Sequence, residues 1–232
     1  QQHYSQAEMI VHWGYEVEEH DVITDDGFVL SMLRIPCGRA SKGACSANAS
    51  CRRPPILLVH GLFQDSTAFV MNPPESSPGM ILADAGFDVF LLNMRGTTYG
   101  QRHLNLTTND SEFWKFSMDD MAKYDAPAAI DKALALNGAS SLYYIGHSQG
   151  TMISFLMLAE RPEYNRKVRA MFELAPTGTE HWVRGLPSLL MWVSDKFEAI
   201  LNVYKMFLGS HQLGLRAPWL LGEMARLVCR PF

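Results

Sequence analysis

The sequence predicts an α/β fold: a mostly parallel sheet with helices between its strands. Three observations carry that prediction. Residues 56–59 are wholly apolar, and 87–93 and 142–145 resemble them, as strands buried on both faces do. Segments of helical period stand between these runs, the alternation that makes a parallel sheet. At 142–158 an apolar run meets Gly146-His147-Ser148-Gln149-Gly150. Met152, Ile153, Phe155, Leu156 and Leu158 then recur at helical spacing. Strand, G-x-S-x-G and helix in that order mark a sharp turn that exposes a serine.

The remaining elements follow in chain order. Residues 4–12 form a short amphipathic stretch. Residues 16–23 and 28–35 flank Thr24-Asp25-Asp26-Gly27, and an Asp-Gly turn between two such runs predicts a hairpin. Residues 80–85 predict a helix closed by Gly86. Ser117 predicts a helix start, with Asp120 as the capping-box acid three residues on. That helix should reach Leu136 and bend at Pro127, which has no N–H to donate. Residues 168–174 are the sixth and last strand the pattern supplies. Beyond Pro176 the chain turns into helical segments too apolar for a free surface, including Leu189, Leu190, Trp192, Phe197, Ile200 and Phe207. We therefore expect a core over 1–176 and a helical cap or lid over 177–232.

Composition bounds the class. A chain of 232 residues with 47% hydrophobic and 19% charged residues suffices for one α/β domain. A net charge of −4 does not suggest a nucleic-acid binder. The charge-free run 133–159 is long enough to span a membrane. Asn137-Gly138 and Gly146-His147-Ser148 interrupt it, so it reads as strand plus helix and no transmembrane segment is expected. Gln1 begins neither with methionine nor with a signal-peptide pattern, which suggests a removed signal or a piece of a longer product.

Cys37, Cys45 and Cys51 crowd one small-residue loop, with Cys229 far away. The crowding suggests a local disulfide in an oxidising compartment, and four cysteines allow three full pairings. A zinc site would want C-x-x-C or nearby histidines, and neither is there; we expect no metal and no cofactor. Sequons at Asn48, Asn105 and Asn109 agree with passage through the secretory pathway.

Ser148 is the candidate nucleophile. An activated serine also needs a base, an acid to orient it, and donors for the developing oxyanion. At such a turn one donor is the N–H after the serine, here Gln149. The other comes from the loop after the third strand, where Leu62 sits in His60-Gly61-Leu62. His60 and His147 flank these positions. Neither follows the serine in the order Ser, Asp or Glu, His, so each is read as a locally packed histidine.

Several stretches, in order, resemble the acid lipase family, that of gastric lipase and lysosomal acid lipase. They are Trp13-Gly14-Tyr15 with Glu18-Glu19-His20, Thr24-Asp25-Asp26-Gly27-Phe28, Arg34-Ile35-Pro36, His60-Gly61-Leu62 and residues 82–89. Further on come Asn93-Met94-Arg95-Gly96, Glu112-Phe113-Trp114, residues 119–125 and the serine pentapeptide. The resemblance runs from about residue 9 to 176. It implies an α/β-hydrolase sheet with a cap, a lipid ester substrate met at a lipid–water interface, and a secreted or lysosomal location. It also implies hydrolysis of acylglycerols or sterol esters, with Ser148 as nucleophile and Leu62 and Gln149 as oxyanion donors.

Two departures stand out. The cysteine-rich loop has no general counterpart in that family, so its cysteines inherit no role. The family also continues past the position of Phe232 and carries its catalytic Asp and His there. The sheet is therefore expected to be cut after the sixth strand, and this polypeptide alone to be a poor esterase. After Ser148 the chain offers only Asp195, His181 and His211, all in the cap segment and none behind a strand. The competing expectation is a non-catalytic lipid-binding protein built on a shortened lipase fold. A thioesterase or peptidase with the same turn is a third.

Overall fold

The computed structural model describes residues 4–41 and 53–178. Its described residues fall into two compact units, one holding 4–107 and 115–178, the other 108–114. In the first unit, helix α1 (Gln6–His12) starts at Ser5, whose hydroxyl accepts the Glu8 N–H while the Glu8 carboxylate accepts the Ser5 N–H. Strands β1 (Glu18–Ile23) and β2 (Phe28–Ile35) form the expected antiparallel hairpin. Then come β3 (Pro55–Val59), helix α2 (Pro78–Asp84) and β4 (Asp88–Asn93). A two-residue strand β5 (Arg102–His103) pairs with β2 and makes seven strands among the described residues where six were expected; two residues are too short to show a period.

Helices α3 (Met118–Asp120) and α4 (Ala126–Asn137) are joined by a wider π turn over Met121–Asp125. The Ser117–Asp120 capping box is present, and left-handed Gly138 closes α4. The expected irregularity at Pro127 sits in the turn before it. The Ala126 N–H reaches back to Met121 O, and the Lys123 carbonyl, which Pro127 has no N–H to satisfy, accepts Arg161 Nη1 at 3.1 Å. Strand β6 (Leu142–His147), helix α5 (Gln149–Glu160) and β7 (Val168–Leu174) complete the unit.

The sheet order is β1-β2-β4-β3-β6-β7. β4, β3, β6 and β7 run parallel, and β1, β2 and β5 are antiparallel additions at one side. Every residue of β3 and β4 is buried, as their apolar runs require. Crucially for the site, β3 and β6 are neighbours in register, Val59 opposite Gly146. Their carboxyl ends therefore deliver His60-Gly61-Leu62 and His147-Ser148 side by side, where open α/β sheets bind ligands.

Some quoted motifs turn out to hold the fold together. Arg95, almost wholly buried, donates to Asp125 (Nε to Oδ1, 2.8 Å) and to Asp26 (Nη1 to Oδ2, 2.6 Å), with its guanidinium 4.0 Å from the centre of the Phe28 ring. Burial pushes the Asp125 carboxyl up to about 6 against the pull of Arg95. Burial also raises Asp26, but hydrogen bonds from Arg95 and Thr24 outweigh it and leave the carboxyl below its usual range. Across the sheet, Arg34 grips buried Asp88 at 2.8 and 2.9 Å and also reaches Glu18. The second unit closes on itself through Trp114 Nε1 donating to Thr108 O at 2.9 Å.

Candidate functional site

Ser148 joins β6 to α5 with φ 50° and ψ −111°, a conformation that costs a non-glycine residue about 1–3 kcal/mol. The surroundings enforce it. The Ser148 N–H donates to Leu174 O on β7 (2.9 Å). The Ser148 carbonyl accepts the Thr151 N–H (2.9 Å), the Thr151 hydroxyl (2.6 Å) and the Thr177 hydroxyl (3.0 Å). Thr177 also donates its N–H to Thr151 Oγ1, so the segment after β7 laces the turn shut.

The glycines on either side allow the packing. A Cβ on Gly150 would lie 2.4 Å from Val59 O, and one on Gly146 2.8 Å from the Gly150 carbonyl carbon. Helix α5 thus starts directly against the ends of β3 and β6. Its first free N–H groups and the positive end of its dipole lie at the serine.

The β3 end arrives beside it. A Cβ on Gly61 would meet Ser148 Cβ at 3.1 Å and His147 Nδ1 at 3.0 Å. The Gln64 side-chain oxygen accepts the Gly61 N–H at 3.1 Å and pairs with His147 Nδ1 at 2.9 Å. Leu62 and Phe63 then project outward, 58% and 88% exposed, and Phe63 has a left-handed φ of 58°.

His60 is structural, in line with its reading from sequence. The Met94 N–H donates to Nε2 at 3.2 Å, so the proton sits on Nδ1 and goes to Gly61 O at 2.9 Å. Burial lowers its affinity for a second proton. Both ring nitrogens are engaged with backbone, and no lone pair is left to act as a base.

Sequence reasoning missed Glu173 beneath the turn. Ser154 Oγ lies 2.7 Å from both Thr151 O and Glu173 Oε1. A hydroxyl has one proton for these two acceptors, so a proton on the carboxyl satisfies both contacts. Burial pushes Glu173 up in the same sense, and its Oε2 is buried without a hydrogen-bond partner. Gln64, Thr151 and Thr177 were missed as well. Each sits in ordinary-looking sequence, and none has a spacing signal.

The other sequence candidates are scattered. Asn105 and Asn109 are exposed, in loops. Cys37 is buried, its sulfur 3.4 Å from Ser41 O. Asn48, Cys45, Cys51, Cys229, His181, Asp195 and His211 lie outside the described residues. Among the described residues no three His, Cys, Asp or Glu side chains converge as metal ligands. No helix there is long and apolar enough to cross a membrane.

The profile of the alpha/beta hydrolase fold matches residues 54–212. The chain belongs to the α/β-hydrolase family. A second profile, the partial alpha/beta-hydrolase lipase region, matches residues 6–73. Among similar proteins, gastric triacylglycerol lipase of Homo sapiens is 41% identical over 201 residues, covering 87% of this chain and 49% of that protein. Lipase member K of Mus musculus is 40% identical, with the same coverage. Lysosomal acid lipase/cholesteryl ester hydrolase of Macaca fascicularis is 44% identical over 173 residues, covering 73% of this chain and 41% of that protein. The chain thus spans about half the length of the curated relatives it matches.

Proposed function

We propose that this protein is a serine ester hydrolase acting on acylglycerols or sterol esters in lipid breakdown. Ser148 is its nucleophile, and the N–H groups of Leu62 and Gln149 receive the oxyanion. The observation that carries the reading is the enforced φ and ψ of Ser148 at the α5 N-terminus, with the Gly61 loop packed beside it. Strain held by many bonds at one serine is characteristic of a working site. Exposed Leu62 and Phe63 suit an apolar substrate at a lipid–water interface, and the named lipase relatives support the lipid class. In this reading residues 1–176 are the core, 177–232 form a cap, and the protein is secreted or lysosomal. Glycans at Asn105 and Asn109 in material from a eukaryotic host would support that location.

A second reading, a non-catalytic lipid-binding protein, draws on one observation. His60 is fully engaged, and residues 149–178 contain neither His nor Asp. An organophosphonate lipase probe decides between them when applied to the whole gene product. One adduct, abolished by Ser148→Ala, supports the hydrolase. No adduct, with retained binding of a fluorescent acylglycerol, supports the binding protein. Labelling that survives Ser148→Ala removes Ser148 as the nucleophile.

A further inference from the structure

We propose that Gln64 is a positioning residue that fastens the Leu62 loop to the serine turn. The proposal rests on the reading of Leu62 as an oxyanion donor and adds the group that holds it in place. The Gln64 amide oxygen receives two donors from two separate segments, the Gly61 N–H at 3.1 Å and His147 Nδ1 at 2.9 Å. Because the Gly61 N–H can only donate, the Gln64 atom it meets is the oxygen and not the nitrogen. An amide oxygen can only accept, so His147 must carry its proton on Nδ1. The Gln64 N–H returns to Gly61 O at 3.3 Å and closes the loop on itself.

Burial of the loop's own apolar side chains does not do this work. Leu62 and Phe63 are exposed, and Phe63 holds a left-handed backbone that the loop must impose on it. Gly61 touches the turn so closely that a small shift of the loop displaces the Leu62 N–H relative to Ser148. An oxyanion donor is sensitive to such a shift, since losing one outright costs about 10²–10³ in rate.

The test uses the whole gene product and three variants: Gln64→Ala, Gln64→Glu and Ser148→Ala. Gln64→Glu keeps an acceptor oxygen in place. Two readouts need no activity: the 15N tautomer signature of His147, and hydrogen exchange at the Gly61 amide. We expect an Nδ1–H tautomer in the parent, and Gly61 exchange at least about tenfold faster in Gln64→Ala but not in Gln64→Glu. An Nε2–H tautomer, or unchanged Gly61 exchange in Gln64→Ala, overturns the clamp. In ester turnover, Gln64→Ala should lower kcat about 10- to 100-fold with KM within twofold, because the oxyanion exists only in the transition state. Gln64→Glu should restore most of that loss. Equal losses in both variants, or kcat within twofold in Gln64→Ala, overturn the positioning role. Turnover retained in Ser148→Ala would defeat the nucleophile assignment instead, while the tautomer and exchange results would still decide the clamp.

Discussion

Gly150→Ala tests whether the close approach of α5 to β3 builds the site. The added Cβ would stand 2.4 Å from Val59 O, 3.0 Å from Val59 C and 3.1 Å from His60 O, where ordinary contact begins at 3.4 Å. The worst overlap is therefore about 1 Å. All three neighbours are backbone, so no side chain can rotate aside and the helix or the strand end must move. Overpacking of this kind costs about 3 kcal/mol at the upper end. Alanine returns up to about 1 kcal/mol through its better helix propensity. The net loss is about 2 kcal/mol, which lowers Tm by about 4–8 °C in a domain of this size. Gly178→Ala is the control, since among the described residues nothing lies within 4 Å of its Cβ position, and it should stay within about 0.5 kcal/mol. Calorimetry of parent and both variants reads the stability, and organophosphonate labelling reads the site. A displacement of about 1 Å at reacting groups can cost about 10²-fold in rate. If Gly150→Ala melts and labels like the parent, the tight α5–β3 contact is not what positions the serine.

Ser148→Gly should raise stability by about 1 kcal/mol while abolishing labelling, because glycine adopts φ 50° and ψ −111° without strain; urea unfolding that shows a loss would contradict the strain. Glu173 holds its proton more firmly folded than unfolded. Its stabilising contribution is therefore full below the ordinary glutamate range near 4.5 and is lost as pH rises through the folded value. Glu173→Gln should remove that part of the pH dependence, and unfolding curves from pH 4 to 8 that are parallel for parent and variant would refute it. Arg95→Met should destabilise by about 3–5 kcal/mol in denaturant titration, because it leaves Asp26 and buried Asp125 without their cation. A cost under 1 kcal/mol would mean that the network is not holding the hairpin to α4.

The elements legible in the amino-acid sequence are those with a local signature. The wholly apolar β3, the Asp-Gly hairpin, the Ser117–Asp120 cap and the strand–Gly–Ser–Gly–helix turn depend on residues a few positions apart. Their patterns survive in one dimension, and they locate Ser148, Gln149 and Leu62 without coordinates. The two-residue β5 and the π turn before Pro127 escaped because neither is long enough to show a period. What fastens the site escaped for another reason. Gln64 meets His147 across 83 positions, Thr177 meets Ser148 across 29, and Arg95 meets Asp26 across 69. Those distances collapse because β3 lies beside β6 in register, β6 beside β7 and β2 beside β4. The protonated state inferred for Glu173 likewise needs the second acceptor at Thr151 O, which the turn of α5 supplies. Local chemistry could name the serine; strand order decides which neighbours hold it in place, because hydrogen bonds follow distance in space and not separation along the chain.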